Sequence, residues 1–317
     1  GIREAAQDNL QPRTVYHYRI KAWNNWGESE YLTIQATSSD VPPMTPSDLN
    51  LVNITQTSMT ATWLDQSDNE SGFHVYLCLG TTLDNCSISS EATEDVGSVA
   101  LSNLTDDTLY SVGVQAWNSV GTSSIVYQDV STLPYPPASP TDLAATLAAS
   151  TIDLEWVDNS DNETGFNIYR ATAQDGDYVL LATANLGEVS FSDSGPFIDL
   201  TQYFYKVKAV NAGGESGSTL IDSATWYTEV PAAPTHIGVN LTSSNSVEIT
   251  WQDNATTETE YLLVRLRSDT WTDSVEFFGP ANTSLYADTG LAPGGQYYWL
   301  VRARNPRGMS EPAGIFF

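Results

Sequence analysis

The sequence predicts an all-β chain of tandem two-sheet, Greek-key sandwiches, three complete and one partial. Three observations carry that prediction. An Asn-x-x-Gly mark recurs at Asn24/Gly27, Asn118/Gly121, Asn211/Gly214 and Asn305/Gly308, in steps of 94, 93 and 94 residues. The same residues at the same offsets over such a period mean one domain copied in tandem. Apolar residues alternate with period two around each mark, and no stretch has a convincing helical period. Turn-forming residues arrive about every ten positions, the rhythm of short strands rather than helices.

Each complete copy opens on a proline-rich joint: Val41–Pro46, Pro134–Pro140 and Val230–Pro234. An alternating run ending on tryptophan follows, as Met59-Ala61-Trp63, Ile152-Leu154-Trp156 and Val247-Ile249-Trp251. Period-two patterning puts each triplet on one face, so each run is a half-buried strand. Asp then stands at Trp+2 (Asp65, Asp158, Asp253), Glu at Trp+7 (Glu70, Glu163, Glu258) and an aromatic at Trp+10 (Phe73, Phe166, Tyr261). The aromatic opens another strand, clearest at Phe166–Arg170.

Later in each copy a large apolar residue (Leu10, Leu104, Phe197, Leu291) precedes a tyrosine by six positions (Tyr16, Tyr110, Tyr203, Tyr297). The strand after the tyrosine alternates as Tyr18-Ile20-Ala22, Val112-Val114-Ala116, Tyr205-Val207-Ala209 and Trp299-Val301-Ala303. Asn-x-x-Gly then turns the chain into a last strand, Tyr31–Ala36 or Ser124–Val130 in the first two copies. A copy of this length with seven short strands fits a two-sheet sandwich.

Trp on an early strand, Leu-x5-Tyr on a later one and then Ala-x-Asn-x-x-Gly together resemble the fibronectin type III module. Leu-x5-Tyr resembles its tyrosine corner, in which the hydroxyl pins a cross-over loop. The run Trp156–Phe166 is similar to a loop of such modules in microbial secreted proteins. The resemblance covers the whole chain and implies complete modules at 41–133, 134–229 and 230–317. Residues 1–40 hold only the Leu10/Tyr16/Asn24 half of the pattern, which by the family's strand order is the last two strands. A lone hairpin is marginal in water. The fragment is therefore expected either to belong to a longer protein or to be completed by another chain. The fold hosts adhesion, receptor, linker and scaffold roles alike, so the resemblance implies no single function.

Thirty-nine acidic and 12 basic side chains give a net charge of −27. Residues 41–133 hold eleven Asp and Glu and no Lys or Arg, and residues 134–229 hold fourteen acids against Arg170, Lys206 and Lys208. Phosphate contacts need a basic face, so nucleic-acid binding is excluded as an expectation, and anionic membranes are disfavoured. Such acidity keeps an extended protein soluble; the functional alternative is dependence on cations. No segment approaches the eighteen apolar residues of a membrane span; no signal peptide opens the chain, and the incomplete first copy leaves room for one upstream.

Candidate chemistry is sparse. Cys78 and Cys86 flank Gly80–Asn85, a predicted turn. A disulfide there would be worth about 2.5 kcal/mol by chain entropy and would indicate an oxidising compartment; the alternative is two buried free thiols. Asp158, Asp161 and Glu163 put several oxygens within six residues, a candidate calcium set that lacks the alternation and glycine of an EF-hand. The same residue types also cap turns. Of eight Asn-x-Ser/Thr sequons (Asn53, Asn69, Asn85, Asn103, Asn162, Asn240, Asn254, Asn282), Asn69 and Asn162 share the Trp+6 position and are the candidates for glycosylation. His17, His74 and His236 fall at non-equivalent positions, and no nucleophile, zinc or phosphate-loop motif occurs. Trp23 and Trp117 are predicted to point outward, with Trp26 close by, where they would either stack on a sugar or a partner or cover the hairpin or a flanking proline linker.

Catalysis and cofactors are thus not expected, calcium aside. The expected role is an extracellular or cell-surface rod, a spacer and interaction array about 100 Å long from the strand rise. Its partners would be neighbouring modules, copies of itself, other surface proteins or polysaccharide. The alternative is a spacer within a secreted polysaccharide-degrading enzyme. A receptor ectodomain is a third reading, disfavoured by the acidity.

Overall fold

In the computed structural model, residues 4–81, 86–267 and 274–317 are described, and they contain strands and no helices. Part of the turn predicted between the cysteines, including the Asn85 sequon, lies outside them. The chain divides into two compact units, Gly1–Tyr135 and Pro136–Phe317.

The first unit begins with a hairpin. Val15–Ile20 pairs antiparallel with Leu32–Thr37, and Trp23–Asn24 with Gly27–Glu28. In the chain by itself its faces stay open, with Ile20 and Ala22 exposed and Tyr18 half-buried. The complete sandwich of this unit has a three-stranded sheet, Ser47–Val52, Ser58–Leu64 and Ser98–Ser102. Its second sheet runs Val126–Ser131, Leu109–Trp117, Gly72–Leu79, Ile88–Thr93. Consecutive strands cross between sheets, which gives the Greek-key path.

The second unit repeats this plan twice. Thr141–Leu147, Ile152–Val157 and Ser190–Asp193 form one sheet, facing a sheet in which Gly165–Ala171 lies between Val179–Asn185 and Gln202–Asn211. The last sandwich pairs Thr235–Ser243, Ser246–Gln252 and Leu285–Thr289, and sets Glu260–Arg267 between Ser274–Pro280 and Tyr297–Asn305. In both, the turn after the long strand begins a short return strand, Gly214–Ser218 or Gly308–Met309.

Alternation explains the layers. Along Ser58–Leu64, Met59, Ala61 and Trp63 are buried, and along Gln202–Asn211 every second residue is. The tryptophan of one sheet meets the aromatic opening the other, with ring centroids 5.3 Å apart for Trp63–Phe73, 5.5 Å for Trp156–Phe166 and 5.4 Å for Trp251–Tyr261. Side chains of this size stabilise by roughly 1.5–3 kcal/mol each when fully buried. The glycines before Phe73 and Phe166 serve a close approach. A Cβ on Gly72 would lie 2.4 Å from Ala92 O, and one on Gly165 2.3 Å from Ala184 O.

Candidate functional site

In the three complete copies the recurrent asparagine is buried. Asn118 Oδ1 accepts from the backbone N–H of Val120 (2.9 Å) and Gly121 (3.1 Å), closing its turn. Its Nδ2 donates outward to Val41 O (2.7 Å) and Asn69 O (3.1 Å), joining the turn to the incoming joint and the acidic loop. Asn305 does the same, accepting from Arg307 N (2.8 Å) and donating to Glu229 O (3.0 Å) and Thr257 O (3.3 Å). Asn211 accepts from Gly213 N and donates to Asn162 O. Asn24 closes its own turn through Trp26 N (2.8 Å).

A serine completes the turn in every copy. Ser29, Ser123, Ser216 and Ser310 Oγ accept from the backbone N–H of Ala22, Ala116, Ala209 and Ala303 at 2.9–3.0 Å. Sequence reasoning passed over this residue, although serine stands two positions past the glycine in all four copies. The tyrosine corner is equally regular. The hydroxyls of Tyr16, Tyr110, Tyr203 and Tyr297 accept from the N–H of Gln11, Thr105, Ile198 and Ala292 at 2.7–2.9 Å.

Asn69 belongs to the same joint. Its Nδ2 donates to Asp40 Oδ1 and Val41 O, both at 2.8 Å. This hydrogen bond, then the Val41 N–H, holds the Asp40 carboxyl below its ordinary range. A glycan on Asn69 would use the nitrogen that makes both bonds. At the equivalent Asn162, Oδ1 accepts from Ser160 Oγ at 3.0 Å.

In each acidic loop the first Asp closes a turn: Asp65, Asp158 and Asp253 Oδ1 accept from Ser67, Ser160 and Ala255 N at 2.9 Å. The following glutamates, Glu70, Glu163 and Glu258, are buried, and one carboxylate oxygen of each, Oε2, has no hydrogen-bond partner. The other oxygen caps a hairpin turn, from Asp95 N at 3.3 Å in one case and Asn282 N at 3.0 Å in another. The structure gathers three carboxylates within 4.8 Å at Asp65, Glu70 and Asp95; among the described residues it does not gather Asp158, Asp161 and Glu163 in this way.

Cys78 and Cys86 form a disulfide, with Cα atoms 5.6 Å apart. Trp117 is half-buried and stacks on His74 of the adjacent strand Gly72–Leu79 at 5.4 Å. Trp23 and Trp26 are 78% and 95% exposed and line a shallow hollow with Asn24 and Glu28. A second hollow, against Arg170, Val179, Leu180, Ile198 and Tyr203, offers one carboxylate, Asp177. His17, His74 and His236 stay on separate elements, His236 hydrogen-bonded to Thr235. Among the described residues no helix is long and apolar enough to cross a membrane.

Residues 44–129 match the family model of the fibronectin type III domain. The chain is 24% identical to Exoglucanase B of Cellulomonas fimi over 293 residues, 86% of this chain and 25% of that protein. It is 26% identical to the cell adhesion molecule Dscam1 of Drosophila melanogaster over 80% of this chain and 13% of that protein. Similarity to the receptor-type tyrosine-protein phosphatase eta of Gallus gallus, 27% identical, spans 99% of this chain and 21% of that one. The chain thus spans a quarter or less of the length of these relatives. Among solved structures, chicken CNTN1 FN1-FN3 domains align over 87% of this chain and 99% of that chain, at 19% identity and a TM-score of 0.46. Segments similar to this one therefore occur both in a protein named for adhesion and in one named as an exoglucanase.

Proposed function

With fibronectin type III-like sandwiches as its repeating unit, the second copy matched to the family at residues 44–129, we propose that this chain is a non-catalytic extracellular spacer and protein-interaction array. Its modules are 41–133, 134–229 and 230–317, with 1–40 contributing the last two strands of a further copy. The observation that supports this reading best is the asparagine clamp on the incoming joint, Asn118 to Val41 O and Asn305 to Glu229 O. A spacer transmits position only if its joints are held, and a buried amide holding a joint carbonyl does so. The partners are copies of the same protein, other surface proteins or polysaccharide.

The similarity to an exoglucanase favours a second reading, a spacer between domains of a secreted polysaccharide-degrading enzyme. Immunogold electron microscopy of native material, with an antibody raised to this chain, separates the two. Label on cell surfaces or fibres without polysaccharide hydrolysis is the expected result. Label on secreted particles that co-purify with hydrolytic activity would replace the first reading by the second.

A further inference from the structure

We propose that the second sandwich binds one calcium ion between Asp65, Glu70 and Asp95. One carboxylate oxygen of each lies within 4.8 Å of those of the other two, and no lysine or arginine occurs anywhere in residues 41–133 to balance them. Glu70 is 7% exposed, its Oε2 has no hydrogen-bond partner, and its Oε1 receives one long bond, from Asp95 N at 3.3 Å. A buried carboxylate oxygen without a donor is costly. A hard cation with oxygen ligands removes that cost without requiring a proton donor from the protein.

The other two sandwiches serve as internal comparisons. Their glutamates also leave Oε2 unpartnered, so the turn-capping glutamate is common to all three. The residue beneath it is not. The ladders align Phe73 with Ala92, Phe166 with Ala184 and Tyr261 with Gly279, which makes Asp95, Gly187 and Asn282 equivalent. All three have positive φ, at 60°, 74° and 58°. Glycine, asparagine and aspartate all tolerate that conformation. Only the second sandwich puts a carboxylate at that position. In the fourth, the Tyr261 hydroxyl already donates to Asp253 Oδ1, the counterpart of Asp65. Calcium fits better than magnesium, because three ligands from two loops suit a flexible shell completed by water rather than a strict octahedron.

The test is calorimetric titration of calcium chloride into the whole chain, with amide NMR shifts locating the ion and sodium chloride at matched ionic strength as the control. The expected result is one ion per chain, with a dissociation constant of about 10⁻⁴–10⁻³ M, the range of extracellular modules. Shifts should centre on Asp65, Glu70 and Asp95. Asp95→Asn copies the fourth sandwich and suits positive φ, so it should keep the fold and weaken binding at least about tenfold. Glu70→Gln is the second variant and should do the same. The proposal is overturned by no stoichiometric binding up to about 10 mM calcium, by shifts centred elsewhere, by equal effects of sodium chloride, or by Asp95→Asn binding as the unchanged chain does.

Discussion

Asn118 Nδ2 lies 2.7 Å from Val41 O, across 77 residues of chain. The asparagine that marks the repeat in the sequence is therefore also the group that fastens a sandwich to the joint entering it. Its oxygen shapes the turn while its nitrogen holds the joint, so the two ends of one amide couple a local structure to a distant one.

Asn118→Ala removes both functions at once and leaves the N–H groups of Val120 and Gly121 without their acceptor. A loss of about 1–2 kcal/mol is expected, because these bonds are part-buried and water replaces them only in part. Asn118→Asp should be no better. It keeps the acceptor but points a carboxylate at Val41 O, beside Asp40 Oδ2 at 3.5 Å from the present nitrogen. Urea denaturation with hydrogen exchange at Val120 and Gly121 reads both effects. Unchanged exchange in Asn118→Ala would remove the clamp from the account.

The tyrosine corner gives a graded series. Tyr110→Phe, Tyr203→Phe and Tyr297→Phe each delete one acceptor for a part-buried N–H, and each should cost about 1–2 kcal/mol. Tyr16→Phe should cost less, because its partner Gln11 N is exposed and water replaces the hydroxyl. Equal losses at all four sites, measured by chemical denaturation, would show that burial does not set the scale.

Acid sensitivity should be concentrated in the third sandwich at Glu215. Burial raises this carboxyl, but hydrogen bonds from Tyr169, Asn167 and Lys208, with the Lys208 charge, outweigh it and bring the value to about 2, against an ordinary 4.5. A group lowered on folding stabilises fully above about 4.5 and loses that contribution as pH falls toward 2. With solvent screening allowed for, the amount is about 1–2 kcal/mol. Glu215→Gln should flatten the fall in stability between those pH values while lowering stability at pH 7. A parallel pH profile in the variant would assign the acid sensitivity to other carboxyls.

Periodicity made the sandwiches legible, because period-two alternation and turn residues are local and repeat four times. The Asn-x-x-Gly turn is legible for the same reason, and the tyrosine corner through the family resemblance; the asparagine's hold on the joint is not, because Val41 O lies 77 residues from Asn118. Asp95 was not. It reaches Glu70 only through the register of two strands, and a single acid in a turn looks like any other acid. Asp158, Asp161 and Glu163 stand out in the sequence because they are close along the chain, whereas Asp65, Glu70 and Asp95 come together only across a hairpin. Alternation puts Trp117 on the face opposite Ala116, but its stacking partner His74 lies on the neighbouring strand, beyond what spacing reveals.

One buried network tests whether the sandwiches are interchangeable cores. In the third, Arg170 Nη1 donates to Asp193 Oδ2 at 2.8 Å and the Tyr205 hydroxyl donates to the same oxygen at 2.8 Å. In the fourth, Arg265 donates to Asp288 Oδ1 at 2.7 Å and Trp299 Nε1 to Oδ2 at 2.8 Å. The aspartates are both 1% exposed. In the second sandwich the equivalent positions, fixed by the ladders and the tyrosine, are Leu77, Leu101 and Val112, all packed in the core. One fold has thus satisfied the same space with a charged network twice and with hydrocarbon once. Removing a single partner should be severe, so Asp193→Ala is expected to cost about 3–5 kcal/mol by stranding the half-buried guanidinium and the buried hydroxyl. Replacing all three together, Arg170→Leu, Asp193→Leu and Tyr205→Val, is expected to be near neutral or stabilising, because dehydrating the ions costs about what their attraction returns. Denaturation of the single and triple variants decides it. A triple variant as damaged as Asp193→Ala would mean that the network, rather than the volume it fills, specifies the third core.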